Sequence, residues 1–220
     1  MRHFHEELEE LQKQIARMGN LVQEAVEKSV QALLLKDQAA AAEVLQKEDA
    51  INRLEIDIDD KGHSLFALGQ PMAFDLRLVT SILKVNTDLE RLGDHAVNIA
   101  ERASALARER SFDFDLQLPQ MTSSVRKMLK DALEAFTQNN VKLAKEVLES
   151  DDVVDAYNDL LYARIEELMQ KDPAFIKPGM KLARIGHDLE RIADLANNIA
   201  EDTLYLQAGK DVRHRIEMKL

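Results

Sequence analysis

Apolar residues recur at alternating steps of three and four along the first half of the chain, which predicts three long amphipathic helices. These helices span about residues 4–35, 38–68 and 73–108. Asp37 is placed to cap the second helix, and Gly69-Gln70-Pro71 is placed to end it. The third helix carries an unbroken apolar heptad, namely Leu78, Ile82, Val85, Leu89, Leu92, Ala96, Ile99 and Ala103.

The helical pattern stops over residues 111–119 and then begins again, which indicates a linker between two halves. The second half predicts helices over about residues 120–138, 140–171 and 174–206, with breaks at Asn139 and Asp172-Pro173 and a C-cap at Gly209. We therefore predict an all-α fold with six long helices, a tandem pair of three-helix bundles. The predicted domains are residues 1–110 and 119–208, followed by a tail at residues 209–220.

One polar motif occurs twice in the chain, once in each half. Residues 88–101 read DLERLGDHAVNIAE and residues 188–201 read DLERIADLANNIAE, so 10 of the 14 positions are identical. The shared positions include acidic, basic and amide side chains, whereas a repeat kept only for packing would retain apolar positions and let polar ones drift. The motif therefore predicts a duplicated site on a duplicated scaffold.

Composition narrows the chemistry that such a site could perform. The chain has no cysteine, which excludes disulfides and thiolate metal sites and leaves oxygen or imidazole as metal ligands. A net charge of −11 argues against nucleic acid and anionic lipid as partners. With no apolar run of about 18 residues and no signal-peptide pattern at the N-terminus, we expect a cytoplasmic protein without membrane insertion.

The acidic residues of the twin motif lie opposite the apolar seam of their helix. Glu90 and Asp94 are four residues apart and so lie on one helical face, as do Glu190 and Asp194. A solvated helix face is the simplest interpretation of one such pair. Like charges at this spacing destabilise a helix by a few tenths of a kcal/mol, however, so their presence in both copies calls for a reason.

The helix before each motif carries a second polar pair that is predicted to lie level with the first. Counting from the predicted turns brings Glu48 level with Asp94 and Asn52 level with Glu90. The same count in the second half pairs Asp151 with Asp194, and Asp155 with Glu190. Converging carboxylates repel unless a cation neutralises them, and such oxygen clusters suit iron, manganese, magnesium or calcium. The predicted metal ligands are therefore Glu48, Asn52, Glu90, Asp94, Asp151, Asp155, Glu190 and Asp194, and the second site is the stronger because Asn52 supplies no charge.

Catalytic patterns are weak in this sequence. Di-iron oxidases built on helical bundles use Glu-x-x-His pairs, but Gly93 and Ala193 stand where that histidine would be. The sequence shows no Gly-rich phosphate loop, nucleophile elbow or catalytic triad spacing. We therefore expect no enzyme, and we keep as alternatives a metal-dependent hydrolase or oxidase and a purely structural helical scaffold.

The sequence resembles the PhoU family of bacterial phosphate-uptake regulators from about Leu8 to Leu206. Glu90-x-x-x-Asp94 and Glu190-x-x-x-Asp194 match the family's repeated E(D)xxxD pattern, and residues 70–79, QPMAFDLRLV, resemble its stretch at the start of the third helix. The resemblance implies paired three-helix bundles, often as homodimers, with a multinuclear metal cofactor in some members. Iron is the first expectation for that cofactor, with zinc, nickel, manganese, magnesium or calcium as alternatives. It also implies a negative regulator that links the phosphate ABC transporter to the phosphate-sensing histidine kinase.

Overall fold

Seven α-helices and one short 3-10 helix make up almost all of the chain that the structure describes. The structure, a computed structural model, describes residues 2–69, 73–109 and 116–209. The helices are α1 (Arg2–Leu35), α2 (Gln38–Gly69), α3 (Phe74–Ala107), α4 (Leu118–Gln138), α5 (Val141–Leu148), α6 (Asp151–Lys171) and α7 (Ile176–Ala208). No strand occurs in those ranges, and none of these helices combines the length and apolar character that crossing a membrane requires. The prediction of an all-α fold is confirmed.

The predicted long helix over residues 140–171 is wrong in one respect, because it is two helices, α5 and α6. Ser150 interrupts it by donating a side-chain hydrogen bond to the Glu146 carbonyl (2.8 Å). Its backbone N–H bonds to the Val147 carbonyl, three residues back (2.9 Å), which tightens the last turn and ends α5. In the first half, α2 runs through the matching region without a break.

Capping residues act largely where the sequence predicts them. The Asp37 carboxylate accepts from the backbone N–H groups of Ala39 and Ala40 at 2.9 and 3.1 Å, which caps α2. Gly209 adopts φ 63° after α7, the left-handed conformation of a C-cap. The last predicted helix begins two residues late, at Ile176, because residues 173–175 form a 3-10 turn whose N-cap is Asp172.

The predicted apolar seam of α3 lies in the core over its whole length. All eight of its residues are buried, where α3 packs against α1 and α2. The second half packs α4 and α6 against α7, with α5 against α4 and α7. The turn at residues 70–72, the linker at residues 110–115 and the tail beyond residue 209 lie outside the described residues. The predicted domain boundaries therefore stay a prediction.

The two halves also join directly, because α3 packs against α7. Arg77, near the start of α3, donates from Nε to the Leu206 carbonyl near the end of α7 (3.2 Å). Toward the other end of α3, His95 Nδ1 lies 2.9 Å from Asp188 Oδ1, and Arg102 donates to the second oxygen of the same carboxylate. The helices therefore run antiparallel, with the twin motifs at their crossing.

The two sides of this crossing carry different charges. On one side, the buried Asp188 carboxylate is paired with Arg102 and His95. On the other side, the repeat places Asp88 opposite Asp202, because position 202 corresponds to Arg102. Burial, together with the Asp202 carboxylate, raises the pKa of Asp88 to about 6. The two sides therefore carry different salt bridges, Asp188 with Arg102 on one side and Asp202 with Lys84 (3.2 Å) on the other, where Asp88 faces the like charge of Asp202.

We expect Asp188→Ala to lower the free energy of unfolding by about 2 kcal/mol, because it leaves the partly buried Arg102 guanidinium and the His95 ring without their acceptor. Urea unfolding measures the change. Arg53→Ala is the control: it removes a largely solvent-exposed ion pair with Asp49 and should change stability by less than about 0.5 kcal/mol. Equal losses in the two variants would contradict the prediction.

Candidate functional site

The acidic row of the second half lies along the contact between α6 and α7. Asp151 begins α6 and Asp155 follows one turn later, while Asp194 and Asn197 lie on α7. The Asn197 amide donates a hydrogen bond to the Asp151 carboxylate. Asn158 Nδ2 donates to Glu190 Oε2 at 2.8 Å, one turn further along the same contact. The row is therefore a mixed set of carboxylates and amides from two helices.

The carboxylates of this row lie close enough to repel one another. Burial raises the pKa of Asp151, the Asn197 hydrogen bond opposes that shift, and the carboxylates of Asp155 and Asp194 add to it. Burial also raises the pKa of Asp155, with Asp194 as the next cause. Asp151 therefore interacts electrostatically with Asp194, the residue counted level with it, whereas Asp155 interacts with Asp194 and not with Glu190.

Three side-chain oxygens in the row are enclosed without a hydrogen-bond donor. They are Asp151 Oδ1, Asn158 Oδ1 and Asn197 Oδ1, all on the contact between α6 and α7. Enclosed acceptors without donors are rare in folded proteins and call for an explanation. Each is an oxygen of the kind that hard cations accept as a ligand, so the donor chemistry of the row fits a bound cation.

The positions of the side chains do not themselves form a metal centre. Within the described ranges, no three acidic or imidazole side chains are grouped so that they could hold a metal ion. Glu190 is engaged by Asn158 instead of lying against Asp155, and Arg191 Nη1 lies 2.7 Å from Asp194 Oδ2. The assignment of these residues as metal ligands stays a prediction, and a cation at Asp194 would share this carboxylate with Arg191 or displace it.

The first-half row is built from partly different residues than those predicted. Burial raises the pKa of Glu90, followed in effect by the carboxylates of Asp94 and Glu55. Glu55 is therefore the acid that α2 brings to Glu90. Glu48 and Asn52, the predicted partners, lie half-buried on α2, and no direct contact joins them to Glu90 or Asp94 among the interactions that the structure describes.

In both halves, the residue that meets the motif glutamate lies three positions later on the preceding helix than the residue predicted to meet it. Glu55 takes the place predicted for Asn52, and Asn158 takes the place predicted for Asp155, each three positions later on the earlier helix. Side chains on a helix lean toward its N-terminus, so in an antiparallel pair the two sets lean in opposite directions. The tips that meet therefore belong to residues whose Cα atoms are not level. The 103-residue offset also aligns Glu55 with Asn158, and this signal could have identified both residues.

The comparisons with known proteins agree with the duplicated helical scaffold. A family model described as "PhoU domain" matches residues 15–103 and again residues 118–203. The class of protein is thus a tandem PhoU-domain protein, and the chain belongs to the PhoU family.

Similar proteins match over nearly the whole chain. A "Phosphate-specific transport system accessory protein PhoU homolog" of Aquifex aeolicus is 40% identical over 95% of both chains. A protein with the same name from Pseudomonas aeruginosa is 38% identical over 96% of this chain and 88% of its own length. The crystal structure of PhoU from Pseudomonas aeruginosa superposes with a TM-score of 0.91 at 36% identity, covering 94% of this chain and all of that chain. PhoU from Streptococcus pneumoniae gives 0.87 at 34% identity, covering 95% and 99%.

We expect Asp155→Asn to stabilise the protein at pH 7 in the presence of a chelator. A carboxyl whose pKa is raised by folding costs stability when it is ionised, and the cost disappears as the pH falls through that pKa. The gain should be about 0.2–0.5 kcal/mol at pH 7 and should be smaller at pH 4, because it disappears fully only below both the folded and the unfolded pKa of this carboxyl. Urea unfolding at both pH values measures it.

Glu9→Gln is the control, because Glu9 lies exposed on α1, away from the row. A stabilisation by Asp155→Asn that is as large at pH 4 as at pH 7 would show that the gain does not come from relief of charge repulsion.

Proposed function

We propose that this protein is a regulatory accessory protein of a phosphate-specific transport system, without catalysis of its own. The observation that carries the proposal is the 40% identity to a protein of that name over 95% of both chains. The match to a solved PhoU structure over the whole of that chain supports the same conclusion. The regulatory unit would thus be the pair of PhoU domains together.

The proposed partners are the phosphate ABC transporter and the phosphate-sensing histidine kinase, whose signalling the protein would restrain when phosphate is abundant. Support comes from the names of the relatives, which describe an accessory of phosphate transport. A cytoplasmic location at the inner face of the membrane and a homodimeric state belong to the same proposal. The net charge of −11 favours contact with basic protein surfaces over contact with nucleic acid.

We further propose that the acidic row of the second half binds metal, with iron as the first expectation. Asp151, Asp155 and Asp194 would supply charged oxygens, Asn197 lies next to Asp151, and Glu190 would join them after leaving Asn158. The enclosed oxygens without donors support this assignment. The cation would neutralise the repulsion within the row, which is a structural effect. The first-half set of Glu48, Asn52, Glu90 and Asp94 would bind more weakly.

Deletion of the gene should raise phosphate-responsive transcription in high phosphate, because the restraint on the kinase is lost. A reporter fused to a phosphate-responsive promoter, read in high and low phosphate with and without a plasmid copy, measures the effect. An unchanged reporter in both conditions would overturn the regulatory proposal.

Replacement of Asp194 by Ala should abolish metal binding at the second row, since it removes the carboxylate that acts on both Asp151 and Asp155. Metal content per chain, measured by plasma mass spectrometry after purification without chelator, tests this. Glu166→Gln on the exposed surface of α6 is the control. Asn197→Ala is unsuitable as a control, because Asn197 holds Asp151. Equal metal content in Asp194→Ala and the native chain would show that the second row is not the metal site.

A further inference from the structure

One helix of the second half carries an apolar stripe on its solvent side. Val153, Ala156, Leu160 and Ala163 are all exposed on α6, at successive steps of three, four and three residues. Val153 is 48% exposed and Leu160 is 54% exposed. The core face of the same helix is separate from it and consists of Val154, Asn158, Leu161, Ile165 and Leu168. This set of four residues, the α6 stripe, is therefore a second apolar face that no part of the described chain covers.

The repeat shows that the fold does not need the α6 stripe. At the 103-residue offset, the corresponding positions on α2 are Ala50, Arg53, Asp57 and Asp60. All four are exposed like their counterparts, but three of them are charged. A bundle of this architecture thus tolerates charged side chains at these positions, so packing of the second half does not require apolar side chains there.

One flank of the α6 stripe carries only negative charge, whereas Arg164 lies one turn after Leu160 on the other flank. Residues 151–163 contain four aspartates and no lysine, arginine or histidine. Two of them, Asp152 and Asp159, are exposed beside the stripe, one turn from Ala156 and Ala163. The first basic side chain on α6 is Arg164, which is engaged with Glu167. An apolar centre with an acidic flank is complementary to a helix that has an apolar face and basic flanks.

We propose that the α6 stripe is a docking site for a basic amphipathic helix of a partner protein. This inference rests on the proposed function, because an accessory protein acts through contact with other proteins. Anchors at i, i+3 and i+7 of the partner helix would lie on Val153, Ala156 and Leu160, while its lysines or arginines meet the aspartates. A second copy of this chain is a poorer occupant, because it would place one set of aspartates against another. An anionic membrane surface would be repelled for the same reason.

A synthetic peptide tests the proposal with the whole protein. The probe is an 18-residue helical peptide with leucine at i, i+3, i+4 and i+7 and lysine elsewhere, labelled for fluorescence anisotropy. Its two controls are a scrambled peptide of the same composition and an isomer with glutamate in place of lysine. We expect the basic amphipathic peptide to bind at least 10-fold more tightly than either control, and we expect its affinity to fall as salt is raised.

The decisive variant is Leu160→Asp, compared with Ile56→Asp. Ile56 is 58% exposed on α2, so both changes replace an exposed apolar residue with one added negative charge. Simple attraction between a basic peptide and an acidic protein would be strengthened by both variants. Docking on the α6 stripe predicts instead that Leu160→Asp weakens binding at least 10-fold while Ile56→Asp does not weaken it. Both variants should keep the native melting temperature, because both sites are on the surface.

Each other outcome counts against the proposal. Equal binding of the native protein and Leu160→Asp, or equal binding of the scrambled peptide, would overturn it. A native dimer that becomes a monomer only in Leu160→Asp, measured by sedimentation, would assign the stripe to a second copy of the chain. The reporter strain distinguishes the two proposals: if the native gene restores phosphate control but the peptide does not bind, only the docking site is wrong.

Discussion

The antiparallel contact between α3 and α7 is the constraint on which the arrangement of the other helices depends. Each of these helices contributes to the core of its own half, to the crossing with the other half, and to a polar row with the preceding helix. The twin motif therefore has to supply three kinds of residue within 14 positions: apolar residues for the core, residues that contact the other half, and residues of the polar row. Asp188 belongs to the crossing, whereas Glu190 and Asp194 belong to the row. This division explains why polar positions are retained as strictly as apolar ones.

Helical periodicity was sufficient to predict the fold class, the α3 seam and the caps at Asp37 and Gly209, because each depends on residues within one or two turns. The break between α5 and α6 was not predicted. It depends on the Ser150 side chain bonding to the carbonyl of Glu146 in the preceding turn. Such a bond competes with continuation of the helix, and packing rather than composition decides which one forms. The contacts of Asp188 also could not be predicted from the sequence, since they depend on which helices pack across the two halves.

The candidate site was predicted in part. Asp151 interacts with Asp194 as the count from the turn implies, but Asp155 does not meet Glu190, and Glu55 and Asn158 were missed. The role of these residues as metal ligands stays a prediction. The count assumed that side chains stand at right angles to the helix axis. Their lean toward the N-terminus displaced the contacts by about one turn in both halves, so the error is systematic and not specific to either row.

The break that ends α5 also gives α6 an N-terminus of its own beside the acidic row. The backbone N–H groups of a first helical turn carry partial positive charge, which favours carboxylates placed there. Asp151 and Asp152 occupy that turn. Glu48, by contrast, lies in the middle of the uninterrupted α2, where no such field is available. The macrodipole of α6 therefore favours negative charge at the start of the second row. The first row has no helix N-terminus beside it and lacks this contribution.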